Sequence, residues 1–250
     1  MSNKDLFVNN LFIYPNKKDT NILAFTTKKY GYCNNKLVEN FDFNIFSENS
    51  TYNILKNIEL LKEYHRINKL MLLKQVHGNK VLSINQNNYS DVFLSEADGL
   101  YTTEKNIAFG IFTADCFPVL LWGKKSISAL HCGWRSINSS IIEESIKLFE
   151  QNNDFPEYVY VGPGICNKCY EISQDMVDKL NKKYKPEIFI EERDGKLFLN
   201  LRKLLEYVLL INNIDKYEFS DFSSCCSDDL YSYRIENGMT GRMLSVIMRR

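Results

Sequence analysis

At the centre of the sequence stands Ile107-Ala-Phe-Gly-Ile-Phe-Thr-Ala-Asp-Cys-Phe-Pro-Val-Leu-Leu-Trp122, and Ser126-Ile-Ser-Ala-Leu130 follows it after a short polar turn. These segments are rich in apolar residues, but each apolar run is too short for a typical helix. Continuous short apolar runs are typical of strands that are buried on both faces. We therefore expect buried β-strands at the core of the molecule.

Weaker patterns on both sides of this centre predict a mixture of strands and helices. Strands are expected at 11–14, 22–26, 70–76, 80–84, 158–161 and 244–248, and helices at 50–67, 134–150, 173–184 and 201–212. The two runs 70–76 and 80–84 are separated only by His77-Gly78-Asn79, which predicts a strand pair joined by a tight turn.

Three of the expected helices begin next to residues that commonly cap a helix: Ser50 or Thr51, Ser173 and Asn200. Strands and helices are mixed without a regular βαβ alternation. This order favours an α+β fold with a mixed, largely antiparallel sheet. No linker, repeat or low-complexity tract interrupts the sequence, so we expect one domain over 1–250.

Composition limits the classes of function. The chain has 250 residues with 31 Lys and Arg against 31 Asp and Glu, and a balanced charge argues against a nucleic-acid coat. No run approaches the roughly 18 apolar residues of a membrane span, and Met1-Ser-Asn-Lys-Asp5 lacks the features of a secretory signal. We expect a cytoplasmic protein without nucleic-acid or membrane partners. Seven cysteines suit reduced thiols, and a metal, better than a disulfide framework.

The chain has three histidines, and two of them stand at expected strand ends. His77 follows one strand, His131 ends another, and Cys116 lies between two apolar strands. Two imidazoles and one thiolate make a three-ligand zinc site with an open fourth position, the arrangement of catalytic zinc. The alternative is two buried histidines and a core cysteine. His65 lies among charged residues of an expected helix and is interpreted as a surface residue.

Several short blocks occur in the order of a known family: Lys74-Gln-Val-His-Gly, Ala97-Asp-Gly, Thr113-Ala-Asp-Cys-Phe-Pro, His131-Cys-Gly-Trp-Arg, Gly162-Pro-Gly-Ile, Ser232-Tyr-Arg and Thr240-Gly-Arg-Met. Together they resemble the laccase-domain, or YfiH-like, family, whose members are labelled polyphenol oxidases or purine nucleoside phosphorylases. The resemblance runs from about Phe25 to Met248 and so covers most of the chain.

The resemblance implies a layered α/β/β/α domain, related to that of a toxin-type cysteine hydrolase. It also implies one catalytic zinc ion held by His77, Cys116 and His131. The implied activities are phosphorolysis of adenosine, inosine, guanosine and methylthioadenosine, and hydrolytic deamination of adenosine. The usual zinc nucleobase-deaminase signature is absent, so deamination would use a different scaffold.

Charged residues near these ligands are candidates for the remaining roles. Asp115 precedes Cys116 and is the candidate proton carrier for attack of water on adenine. Arg135 matches the arginine of the family's His-x-Gly-Trp-Arg block and is the candidate ligand for phosphate, because guanidinium groups suit a dianion. Arg234 and Arg242 are further candidates for substrate binding, and each is equally open to a salt-bridge role.

Two more residues are predicted to contact substrate. Gln75 is a candidate hydrogen-bond partner for a base edge or a sugar hydroxyl, or else a polar group at a strand end. Lys28 ends Phe25-Thr-Thr-Lys28, where the family commonly has an arginine. This exchange replaces a forked guanidinium by a point charge.

Other functions remain open on sequence. A multi-copper oxidase is disfavoured, because three histidines are too few to ligate several copper ions. A cysteine hydrolase or deamidase would use Cys116 and His131 as nucleophile and base, acting on an amide in a peptide or a peptidoglycan precursor. Only the zinc site needs His77. A non-enzymatic interaction protein is disfavoured because all three ligands are present.

The remaining cysteines have weaker signals. Cys166 and Cys169 have the C-x-x-C spacing of a zinc knuckle or a redox pair, but no second such pair follows at a fixed distance. They are interpreted as two unrelated thiols in a loop. The adjacent Cys225 and Cys226 do not readily form a disulfide with each other and are interpreted as structural.

Overall fold

The structure is a computed structural model that describes residues 10–46 and 51–250. Its strands are β1 (Phe12–Ile13), β2 (Ile22–Thr27), β3 (Gly31–Cys33), β4 (Lys36–Val38), β5 (Lys69–Met71), β6 (Val81–Ser83), β7 (Gly99–Thr102), β8 (Ile107–Thr113), β9 (Phe117–Trp122), β10 (Ile127–Cys132), β11 (Tyr158–Val161), β12 (Glu171–Ile172), β13 (Ile190–Arg193), β14 (Lys196–Leu199), β15 (Tyr217–Phe219) and β16 (Met243–Arg249). Its helices are α1 (Thr51–His65), α2 (Tyr89–Val92), α3 (Trp134–Asn138), α4 (Ile141–Gln151), α5 (Gln174–Asn181) and α6 (Leu201–Ile211), with a 3₁₀ turn at Pro186–Ile188. Within the described ranges, none of these helices has the length and apolar character needed to cross a bilayer.

Two large sheets form the centre of the molecule. The first has five strands in the order β1-β2-β16-β8-β5, and the second has six in the order β15-β11-β9-β10-β7-β6. Most neighbours are antiparallel, whereas β5 with β8, β6 with β7 and β11 with β15 are parallel. The predicted central strands are therefore confirmed as β8, β9 and β10, and the sheets are mixed as expected.

The side chains of the first sheet alternate between two apolar layers. Phe25 and Leu70 face one layer together with Leu61 of helix α1, whereas Ala24 and Met71 face the second sheet. The outer face of the second sheet is covered by helices α4 and α6 through a separate cluster. The order of layers is thus helix, sheet, sheet, helix, which confirms the α/β/β/α expectation.

The predicted strand pair at 70–84 is wrong. Strands β5 and β6 belong to different sheets, and the chain crosses from one to the other between them. The backbone N–H groups of residues 76, 77 and 78 donate to the carboxylate of Asp98, at 3.2, 2.9 and 2.7 Å. This carboxylate holds the crossing segment, and β5 and β6 find their cross-strand partners in β8 and β7 instead of in each other.

The predicted helix at 134–150 is two helices. Ser140 separates α3 from α4 with φ of 73°, a left-handed conformation that interrupts helical hydrogen bonding. Among the predicted caps, Asn200 is confirmed, since its side chain accepts from the backbone of Lys203 at 3.0 Å. Ser173 occupies the N-cap position of α5 but forms no side-chain cap bond. The predicted cap at Ser50 or Thr51 falls outside the described residues and side chains.

The interpretation of His65 as a surface residue is also wrong. His65 is 6% exposed, at the end of α1. Its ring stacks on Phe25 with centroids 3.9 Å apart and meets Phe12 edge-on at 4.6 Å. The aromatic neighbours come from the distant strands β1 and β2, so the local charged sequence gave no sign of them.

Candidate active site

The three predicted metal ligands meet beside the start of β9 and the end of β10, the two central strands of the second sheet. His131 lies near the end of β10, Cys116 lies in the turn between β8 and β9, and His77 lies in the crossing segment after β5. One ligand atom from each lies within 4.8 Å of the others, and the two imidazole centroids are 4.7 Å apart. His77 is exposed and Cys116 is half-buried, so the three residues are not the two buried histidines and core cysteine of the alternative interpretation.

Asp98 positions two of the three predicted ligands through hydrogen bonds. It is fully buried, and its Oδ1 lies 2.8 Å from Nδ1 of His131. The same carboxylate accepts the backbone N–H of His77 at 2.9 Å. A carboxylate on one imidazole nitrogen leaves the other nitrogen to act as a ligand or base. One buried side chain thus fixes the orientation of His131 and the backbone position of His77.

Two residues of the site have left-handed backbone conformations that side chains rarely adopt: His77 at φ of 61° and Asp115 at φ of 98°. Asp98 stabilises the conformation of His77 by accepting its backbone N–H. The conformation of Asp115 is stabilised by its own carboxylate, which accepts from the hydroxyls of Ser224 and Ser232 and from the backbone N–H of Arg234, each at 2.7 Å. The turn that presents Cys116 is therefore anchored to the loop before β16.

Gly133 gives the cluster its space. A Cβ atom at this position would lie 2.9 Å from Sγ of Cys116 and 3.4 Å from Cδ2 of His77. No side chain fits there without moving the thiol, because sulfur and carbon in contact need a larger separation. Gly133 therefore lets the thiol and the imidazole of His77 approach each other.

The charges in the cluster favour a thiolate beside an imidazolium. Burial alone would raise the pKa of Cys116, but the charge of His131 and hydrogen bonds from both imidazoles lower it to about 6. Burial alone would lower the pKa of His131, but the Cys116 thiolate and the Asp98 carboxylate raise it to about 9. Burial also acts to raise the pKa of Asp98, and the hydrogen bonds from His131 and Gly78 outweigh it and lower that pKa.

The residues present fit a zinc ion. Two imidazoles and a thiolate are the donor types that zinc prefers, and the carboxylate behind His131 is a typical outer partner of such a site. His131 is buried, whereas Cys116 is half-buried and His77 is exposed. A metal ion at this position would have protein on one side and the pocket on the other, so a fourth position would remain open.

The cluster forms part of the wall of a pocket of about 710 Å³, a volume typical of small-molecule sites. Aromatic side chains line it, namely those of Phe46, Phe112, Trp134, Tyr170 and Tyr233. Arg135, Arg234 and Arg242 also line it, together with Gln75 and Asp115. The structure thus brings the predicted ligands and four of the predicted substrate contacts into one cavity.

The pocket arginines are held by neutral partners. Arg135 lies over the ring of Trp134, with Cζ 4.7 Å from a ring centroid. Arg234 donates to the carbonyl of Glu171 at 3.0 Å, and Arg242 donates to the carbonyls of Thr240 and Gly241 at 3.0 and 2.9 Å. Throughout 10–46 and 51–250, none of these three guanidinium groups forms an ion pair with a carboxylate. Among the described residues, Arg234 and Arg242 therefore do not form the salt bridges that were the alternative interpretation.

The other two predicted substrate contacts, Gln75 and Lys28, form hydrogen bonds to other residues of the protein. Gln75 lies at the pocket, but its amide exchanges two hydrogen bonds with the backbone of Phe112, at 2.8 and 2.7 Å. Lys28 does not line the pocket, and its Nζ lies 2.6 Å from a carboxylate oxygen of Asp229. Gln75 thus joins the crossing segment to β8, and Lys28 pairs with the loop before β16.

Sequence reasoning missed several features of the site. Asp98 was not assigned a role, although the Ala97-Asp-Gly block contains it. The aromatic wall had no local signal because its members come from distant segments. The interpretation of Cys166 and Cys169 as unrelated thiols is wrong: their sulfur atoms lie 3.7 Å apart, in one cluster with those of Cys225 and Cys226.

Comparisons with known proteins find relatives over most of the chain and a solved structure with the same fold. A purine nucleoside phosphorylase of Clostridium acetobutylicum is 29% identical over 243 residues, which cover 94% of this chain and 94% of that protein. One of Haemophilus influenzae is 31% identical over 244 residues, covering 91% and 94%. The crystal structure of YlmD from Geobacillus stearothermophilus has the same fold, with a TM-score of 0.84 at 22% identity, over 96% of this chain and 99% of that one.

The match to a whole family is equally broad. The sequence profile described as multi-copper polyphenol oxidoreductase laccase matches residues 22–250. That range contains His77, Cys116 and His131 together with every residue of the pocket wall. The chain therefore belongs to this family, the YfiH-like laccase-domain family that its sequence motifs indicate.

Proposed function

We propose that this chain is a zinc-dependent purine nucleoside phosphorylase. Its substrates on this proposal are adenosine, inosine, guanosine and methylthioadenosine, and it also deaminates adenosine. The observation that carries the proposal is one cavity in which a His77–Cys116–His131 cluster, an aromatic wall and three arginines converge, and these arginines have no carboxylate partner among residues 10–46 and 51–250. The names of the relatives from Clostridium acetobutylicum and Haemophilus influenzae support the phosphorylase assignment.

The arginines supply the anion site. Phosphorolysis needs a phosphate dianion held below the ribose carbon while charge develops, and guanidinium groups bind such oxygens with paired hydrogen bonds. Arg135 follows His131 by four residues at the start of α3, so it is tied to the cluster by a short rigid segment. Arg234 approaches from the loop that also holds Asp115. We assign phosphate binding to Arg135 and Arg234, with Arg242 as a further substrate contact in the same pocket.

The aromatic side chains supply the base site. A purine is flat and apolar on both faces, and it stacks on aromatic rings with an energy of about 1–3 kcal/mol per base. Tyr170 and Trp134 approach the cavity from different elements, and Tyr233 is 55% exposed at its mouth. We propose that the purine stacks in this part of the cavity, with its edge toward Cys116 and His131.

A bound zinc ion would supply Lewis acidity where the substrate meets the cluster. The chain itself orients the ligands. Asp98 holds His131 in one tautomer, Gly133 leaves the space for Cys116, and the left-handed turn at His77 points its imidazole toward the others. These features are in place before substrate binds, so little reorganisation is needed during reaction.

In the proposed phosphorolysis, the bond between C1′ and N9 breaks and its electron pair goes to the purine. A phosphate oxygen bonds to C1′, and a proton ends on the purine nitrogen. In the proposed deamination, water oxygen replaces the amino group and ammonia leaves. Asp115 is the proposed proton carrier in the second reaction: its Oδ1 accepts two hydrogen bonds and its Oδ2 accepts one, which leaves Oδ2 with a lone pair for a substrate proton.

Product analysis by mass spectrometry tests the proposal. Purified protein is incubated with adenosine, with and without phosphate, next to a Cys116→Ala variant. Adenine and ribose 1-phosphate formed only with phosphate support phosphorolysis, and inosine formed without phosphate supports deamination, provided that both are lost in the variant. If zinc-replete wild-type protein forms neither product, the purine assignment fails.

A cysteine hydrolase is the second candidate, and one observation favours it. Cys116, His131 and Asp98 form a connected chain of thiolate, imidazolium and carboxylate, the order found in thiol hydrolases. Its substrate on this reading is an amide in a peptide or a peptidoglycan precursor. A His77→Ala variant separates the two candidates. Loss of metal together with activity supports the metal site, whereas an active, metal-free variant with amide turnover supports the hydrolase.

The family's copper label does not fit the donor atoms. His65 packs in the aromatic layer between α1 and the first sheet, so only two imidazoles reach the pocket. Several copper ions would need several more imidazoles than this. Two imidazoles and one thiolate suit one zinc ion with an open fourth position.

A further inference from the structure

A second cysteine cluster lies outside the site described above. Cys166 and Cys169 belong to the loop between β11 and β12, and Cys225 and Cys226 belong to the loop between β15 and β16. All four are free thiols, and their sulfur atoms lie within 4.8 Å of one another. The sulfur-to-sulfur distances are 3.7 Å for 166–169, 3.4 Å for 166–225, 3.4 Å for 166–226, 3.8 Å for 169–226 and 3.7 Å for 225–226.

These distances have the size expected around one metal ion. Zinc binds thiolate sulfur at about 2.3 Å in tetrahedral sites, and the edge of a tetrahedron with that radius is about 3.8 Å. Five of the six edges measure 3.4–3.8 Å. In an iron–sulfur cluster the four cysteines are distributed over two or more iron atoms, so sulfurs bound to different irons would lie further apart. Four thiols gain little from one another as hydrogen-bond partners, because sulfur is a weak donor and a weak acceptor.

We propose that Cys166, Cys169, Cys225 and Cys226 form a second metal site, in which four thiolates hold one zinc ion. With four protein ligands the coordination is complete, which is the pattern of structural rather than catalytic zinc. The C-x-x-C segment supplies one half of the site and the adjacent pair supplies the other. Three of the sulfurs belong to half-buried residues and one to an exposed residue, so the ion lies near the surface.

The position of the site explains what the ion does. Ile165 and Tyr170, which bracket the C-x-x-C segment, line the pocket, and the loop after Cys226 carries Arg234. The same two loops are joined by a backbone hydrogen bond from Ser224 to Gly164 at 3.0 Å. A zinc ion here cross-links two walls of the pocket that are far apart in sequence. It therefore fixes the wall on which the proposed substrate rests.

Metal counting on the full-length chain tests the site. Zinc per chain is measured by elemental analysis for wild type, for Cys166→Ser and for a control, Cys33→Ser, which removes a buried thiol outside both clusters. We expect Cys166→Ser to bind one zinc fewer than wild type and to have a lower Tm, and Cys33→Ser to keep the wild-type zinc content. The difference does not depend on whether His77, Cys116 and His131 hold a metal.

A second measurement covers the case in which Cys166→Ser fails to fold. The Cys116→Ala chain, which keeps all four cysteines, is produced in zinc-depleted medium with cobalt. We expect the intense thiolate-to-cobalt absorption of a tetrahedral four-thiolate site. Absence of these bands, an unchanged zinc content in Cys166→Ser, or disulfides found by thiol titration of the denatured, unreduced wild type would each overturn the proposal.

Discussion

Gly133 is the residue on which the geometry of the first site depends most directly. Its backbone, at φ of −83° and ψ of 169°, suits any residue, so a substitution meets only the contact with Cys116 and His77. A methyl group there overpacks the cluster, which typically costs about 1–3 kcal/mol. We expect Gly133→Ala to weaken zinc binding by roughly 5- to 150-fold through this cost, as measured by competition with a chelating dye.

Gly78 provides the matched control for this substitution. A Cβ atom at Gly78 would lie 3.6 Å from Oδ2 of Asp98 and 3.8 Å from Val76, which are ordinary contacts. Its backbone N–H, which donates to Asp98, is retained in alanine. Gly78→Ala should therefore bind zinc like wild type. Equal zinc affinity in the two variants would show that the thiol does not need the space at Gly133.

His65 gives the molecule a pH dependence of stability that is separate from the active site. Burial, followed by the charge of Arg250, lowers the pKa of His65 to about 4. In the unfolded chain the pKa is about 6.5, so between these values the unfolded state binds the extra proton. His65 therefore lowers the free energy of unfolding as the pH falls below about 6.5, by up to about 2–3 kcal/mol near pH 4, and has no such effect at higher pH.

Urea unfolding at pH 5.0 and 7.0 measures this effect. Wild type should lose more unfolding free energy on acidification than a His65→Phe variant, in which an aromatic ring remains to pack on Phe25. The comparison removes the contribution of carboxylates, because both proteins carry the same ones. If the two lose the same free energy, His65 is not buried in its neutral form.

At the level of elements, two helix N-termini make a matched pair. Asn200 caps α6 with a side-chain bond to the backbone of Lys203, whereas Ser173 stands at the same position of α5 without such a bond. Loss of a bonded cap typically costs about 1 kcal/mol. We expect Asn200→Ala to lower the unfolding free energy by about that amount and Ser173→Ala to change it by less than about half as much. Equal losses in denaturant titrations would contradict the difference in capping.

The elements also show how far sequence reasoning reaches. Strands β8, β9, β10 and β16 follow from short continuous apolar runs, and helices α1 and α6 follow from apolar residues at helical spacing, because both patterns are local. The placement of β5 and β6 in different sheets does not follow, since the segment between them is held by Asp98, which lies about twenty residues further along the chain. The break at Ser140 is likewise a tertiary effect that no proline or glycine marks.

At the level of the whole molecule, the first site was more predictable than its surroundings. His77, Cys116 and His131 stand in short motifs, and three ligands are enough to indicate a metal. The second cluster joins segments almost sixty residues apart, so the isolated C-x-x-C spacing carried no signal of Cys225 and Cys226. The two halves of the cluster follow β11 and β15 and come together because these strands pair, and the sequence alone did not indicate that pairing.

The overall charge supplies the last test. With 31 basic and 31 acidic residues the molecule has no net attraction for phosphate, so the phosphate affinity that the proposed function requires would come from local groups in the pocket. Arg135→Ala and Lys147→Ala change the net charge equally, but Lys147 is an exposed residue of α4 and pairs with Glu144 at 2.7 Å. A hydrogen bond to a charged group contributes about 1.5–3 kcal/mol, so Arg135→Ala should raise the KM for phosphate by roughly 10- to 150-fold. Lys147→Ala should leave that KM within about twofold, since exposed charges interact weakly. Similar shifts in phosphorolysis assays of both variants would place the anion site outside the pocket, because only a long-range field responds equally to the two positions.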